Sequence, residues 1–75
     1  MIDYRKYISI DKEIRSGKPC VKNTRISVGD ILACLASGMN HEDILNDFPE
    51  LTHEDILATL AFALEKEHQS IILVA

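Results

Sequence analysis

Two segments start almost identically, NHEDIL at residues 40 to 45 and THEDIL at residues 52 to 57. In each, a capping residue (Asn40, Thr52) precedes two acids, and the second acid (Asp43, Asp55) stands where its side chain can return a hydrogen bond to the capping backbone. Acids in a first turn also suit the positive end of the helix dipole. These are two helix starts, and Pro49 in DFPEL ends the first helix before the second begins. A third start lies upstream: Val28, Ile31, Leu32 and Leu35 follow the helical period, with Ser27 placed to cap and Gly38 to stop. The spacing therefore predicts three helices, the last from about His53 to His68, with Ile56, Leu57, Leu60, Ala63 and Leu64 on its apolar side.

The first 27 residues read differently. YISI alternates, and CVKNTRISV is rich in β-branched residues, with Lys22-Asn23 as a plausible hairpin turn after the loop residues Gly17 and Pro19. A short hairpin or three short strands is expected here. The tail SIILVA is apolar and β-branched, so a short C-terminal strand is expected too, an edge that could pair within the chain, with a second subunit or with a partner. The fold class expected is α+β, mainly α, in a single domain over 1–75: a β-element at 1–27, a helix-turn-helix-like unit at 28–68 and an apolar tail at 69–75.

Charge is sorted along the chain. Residues 1 to 25 carry seven of the eight Lys and Arg against three acids, while residues 26 to 75 carry one against nine. Such a bipolar chain either meets two partners or pairs with itself. Three cations fall in GKPCVKNTRISV, and the outward candidates for a partner or nucleic acid are Lys18, Lys22, Asn23, Thr24 and Arg25. The competing reading is that Arg25 pairs with a helix acid and locks the hairpin down.

Other chemistries lack their residues. Each His-Glu-Asp trio is consecutive on a helix and points in several directions, and no HExxH spacing occurs, so neither metal nor cofactor is expected. There is no nucleophile beside a base and no phosphate-cradling glycine loop, so the chain is read as a non-enzyme. Cys20 and Cys34 show no CxxC spacing; Cys34 is expected to be buried, and Cys20 could be exposed. No apolar run approaches the roughly 18 to 20 residues that span a bilayer, and the first ten residues have no signal-peptide pattern, so a cytoplasmic protein is expected. A chain this short has a marginal core, which favours a homodimer.

The combination of Gly17-Lys18-Pro19, then Thr24-Arg25-Ile26, then a helix stopped by Gly38, then Asp47-x-Pro49-x-Leu51-Thr52 resembles the bacterial family called domain of unknown function 433, over roughly residues 7 to 65. Asn23 stands where that family commonly has Gly before its T-R-I triplet. The resemblance implies a homeodomain-like helix-turn-helix fold with a small β-element in front. It also implies a VapB-like antitoxin role: neutralising a PIN-like ribonuclease toxin and autoregulating the operon on its operator DNA. The alternatives are a DNA-binding transcriptional regulator without a toxin and a structural adaptor module. Against ordinary base reading, both candidate recognition helices open with His-Glu-Asp, which would face phosphates unfavourably.

Overall fold

Three capping boxes start the three helices. The computed structural model describes the backbone of residues 1–74 and the side chains of residues 1–69. Helix α1 spans Val28–Ala36, α2 His41–Asp47 and α3 His53–Val74. Ser27 and Asp30 exchange side-chain-to-backbone hydrogen bonds at 3.0 Å each way. Asn40 with Asp43 and Thr52 with Asp55 do the same. Aspartate thus fills the position where Glu or Gln is the usual choice. Helix α1 stops as its sequence requires: Gly38 has φ +99°, and the N–H groups of Gly38 and Met39 bond back to the carbonyls of Leu35 and Cys34. This is a Schellman closure, which needs a left-handed residue just after the cap.

In front of the helices, β1 (Ile8–Ser9) pairs antiparallel with β2 (Cys20–Val21), with Ile8 opposite Val21 and Ser9 opposite Cys20. A further bridge joins Cys20 to Ser27. The two strands bring Ile8 and Val21 into one core with Ile26, Val28, Ile31, Ile44, Leu51, Ile56 and Phe62. Ile31, Ile44 and Ile56 are fully buried, one from each helix, so the side chains of all three helices meet at the centre. Each such side chain contributes about 1.5 to 3 kcal/mol of burial.

Three expectations are corrected. The tail expected as a strand is helical, since α3 continues to Val74; Ala75 lies outside the described residues. A strand needs partner hydrogen bonds, whereas extending a formed helix adds one bond per residue fixed, and residues 53–74 contain no Pro or Gly to stop it. The face of α3 turned inward also differs. Ile56, Ala58, Thr59 and Phe62 are buried, while Leu57, Leu60 and Leu64 remain 37%, 39% and 53% exposed. Tyr4 stacks edge-on to Phe62 at 5.3 Å, and the buried Thr59 hydroxyl is satisfied by the Asp55 carbonyl at 3.0 Å. These contacts set the rotation of α3. Finally, the two thiols trade places: Cys20 in β2 is 2% exposed, and Cys34 on α1 is only half-buried.

Candidate partner-binding turn

The chain reverses between Val21 and Ile26. The Thr24 N–H bonds to the Val21 carbonyl at 3.1 Å, which places Lys22 and Asn23 at the two central positions of the turn. Asn23 has φ +65°, the conformation that a third turn residue adopts when it is Gly or Asn. The Thr24 hydroxyl then ties the loop internally, donating to the Val21 carbonyl at 2.9 Å and accepting from the Ile26 N–H at 3.0 Å. Ile26 is buried, and its carbonyl accepts from the Val21 N–H at 2.9 Å. The Thr-Arg-Ile triplet therefore does three different things: Thr24 closes the turn, Ile26 anchors it, and Arg25 lies exposed between them.

Beside this turn runs the loop carrying Gly17, Lys18 and Pro19. The Pro19 carbonyl accepts from the Val28 N–H at 2.9 Å, holding the loop against the start of α1. Ahead of it, Arg15, Ser16 and Gly17 all have positive φ, at 51°, 58° and 84°. Two consecutive non-glycine residues in the left-handed region cost roughly 1 to 2 kcal/mol each, so the neighbourhood has to over-determine them. The Arg15 side chain supplies that restraint. Its Nη1 donates to the Arg25 carbonyl at 2.7 Å and to Asp30 Oδ2 at 2.9 Å. One guanidinium thus joins the loop, the turn and the capping box of α1.

Asp30 Oδ2 already accepts from the Ser27 N–H. That backbone bond first, and the Arg15 guanidinium second, hold the Asp30 carboxyl below the usual carboxylate range against a smaller opposing effect of burial. The internal lock that the competing reading gave to Arg25 is held by Arg15, which sequence reasoning passed over. Its only sequence signal was a cation two residues before a glycine, and that does not reveal a partner fifteen residues away.

Of the five sequence-derived candidates, Lys18, Lys22, Asn23 and Arg25 are exposed and Thr24 is half-buried. Lys22 to Arg25 share the turn, and Lys18 stands in the adjoining loop. Lys18, Lys22 and Arg25 have no acid within ion-pair distance among the described residues. Of the other motif positions, Leu51 is buried, Pro49 follows the end of α2, and Thr52 caps α3. No group of three or more metal-ligating side chains gathers among the described residues. No helix there is long and apolar enough to cross a membrane.

The family model described as "Protein of unknown function (DUF433)" matches residues 8–63. The chain belongs to this family. A DUF433 member from Anabaena variabilis ATCC 29413, known from a crystal structure, is similar at 29% sequence identity with a TM-score of 0.77. The likeness covers 83% of this chain and 61% of the Anabaena chain, so the DUF433 chain described here spans less than two thirds of that relative's length. A comparison with curated proteins finds no match. The matched region includes both the locked turn and the three helix starts.

Proposed function

We propose that this DUF433 protein is an antitoxin-like binding protein that neutralises a PIN-like ribonuclease toxin, using Lys22 and Arg25 of the turn and Lys18 of the adjoining loop. PIN-type nucleases gather carboxylates around divalent metal, and a cationic finger entering that site would neutralise it. Arginine suits the task because its guanidinium binds a carboxylate in a bidentate way. One observation carries the reading: Arg15 takes the helix acid Asp30, leaving Arg25 exposed just after a turn that is tied down from behind. A preorganised cation loses little conformational freedom on meeting an anionic site.

The exposed stripe Leu57, Leu60 and Leu64, beside Met1 and Ile2, supports a homodimer. Two antiparallel copies would set Leu57 on the partner copy's Leu64, with the two copies of Leu60 between them, as an isologous interface requires.

The test is RNA cleavage by the nuclease that accompanies the protein from its native host. Wild-type protein is expected to suppress cleavage, and Arg25→Glu, with an unchanged melting temperature, is expected to release it. Absence of any accompanying nuclease, or full inhibition by Arg25→Glu, refutes the proposal. The same outward cations would serve a DNA-binding regulator through phosphate contacts. Affinity for operator DNA would then fall by about 0.9 logarithmic units per contact for each tenfold rise in salt, and a gel shift with no complex at low salt removes that reading.

A further inference from the structure

The repeated helix starts do more than cap. Each puts a histidine at the first helical position, and the two rings meet across elements: His41 Nδ1 lies 3.1 Å from His53 Nδ1, with ring centroids 5.0 Å apart and planes tilted by 47°. Two imidazole lone pairs do not face each other at this distance without a proton or a cation between them. A shared proton satisfies the contact when one ring is the Nδ1–H tautomer. The spacing also matches an edge of a metal coordination polyhedron. With metal–nitrogen bonds of about 2.0 to 2.1 Å, adjacent ligands stand about 3.3 Å apart in a tetrahedral site and about 2.9 Å in a square-planar one.

We propose that His41 and His53 form a two-imidazole site for a borderline divalent transition ion of the zinc, nickel and copper class. Binding uses both Nδ1 lone pairs, so the proton held between the rings moves to Nε2 of its own ring. The remaining positions are open to water or an outside donor, since no third ligating side chain joins the pair among the described residues. The two N-terminal helix dipoles oppose a cation here. Acids in the same first turns, Glu42 and Asp43 on α2 and Glu54 and Asp55 on α3, offset them. The capping boxes at Asn40 and Thr52 fix the backbone on which both histidines stand, so the pair is preorganised.

The chain has three histidines, so their ring proton signals in a nuclear magnetic resonance titration with Zn²⁺ report the site directly. The signals of His41 and His53 are expected to move together and saturate at no more than one ion per chain, with His68 unmoved. His41→Asn should weaken the response of His53 by about tenfold or more, at least what loss of an outer-shell partner costs a metal site. Non-saturating shifts, equal movement of His68, or an unchanged His53 response in His41→Asn would overturn the assignment. The wild-type titration decides the matter even if the variant fails to fold.

Discussion

Replacing Arg15 by Ala tests whether one guanidinium holds the turn, because it removes two hydrogen bonds and leaves the backbone atoms in place. The bond to the Arg25 carbonyl has a charged donor but is exposed to solvent, so about 1 kcal/mol is a fair net value. The ion pair with Asp30 is 2.9 Å long, but its side chains are 30% and 39% exposed. Solvent screening therefore limits it to about 0.5 kcal/mol, well inside the range for surface pairs. Together they come to about 1.5 kcal/mol, which for a domain of this size lowers Tm by about 6 to 12 °C. Thermal melts followed by circular dichroism measure it, and a double-mutant cycle with Asp30→Asn isolates the pair. Acidity supplies a second reading. The carboxyl of Asp30 is held below its ordinary value in the folded chain, so its contribution is complete above about pH 3.9 and is lost as pH falls through the lowered folded value. The gap between wild type and Arg15→Ala should thus be full at pH 6 and shrink below about pH 3.9. A Tm drop under about 2 °C at neutral pH, or no coupling to Asp30, would refute the account of the lock.

Two further substitutions probe the fold and the dimer face. Gly38→Ala forces a β-carbon onto a residue at φ +99° with open space around it, so the cost is backbone strain alone, about 1 to 2 kcal/mol in a denaturant melt. Leu57→Glu with Leu64→Glu should change monomer stability by less than about 1 kcal/mol, since both side chains are substantially exposed. The same pair is expected to shift the protein to a monomer in sedimentation, and an unchanged mass there removes this stripe as the interface.

The helix starts were legible because capping is local. Ser27, Asn40 and Thr52 each answer to an aspartate three residues on, and no distant contact is needed to form the box. Gly38 and Asn23 were legible for a similar reason, since positive φ singles out a few residue types. The candidate site was legible as a cluster of cations, whereas the part each would take was not. Arg15 and Arg25 look equivalent as letters. They differ because a left-handed loop at residues 15 to 17 carries one guanidinium back onto α1 and leaves the other outside.

Residue order by itself thus determined where the helices begin, where α1 and α2 stop, and that the cations gather ahead of them. Tertiary structure decided the rest: which face of α3 turns inward, that α3 runs on to Val74, that Cys20 and not Cys34 is the buried thiol, and that two histidines twelve residues apart touch. The physical reason is the range of the interactions. Capping and turn preference act over three or four residues and can be read in a line. The rotation of a helix is set by what packs against it. A leucine can stay in solvent while a threonine is buried, provided that the hydroxyl finds a carbonyl and an aromatic pair closes the gap beside it.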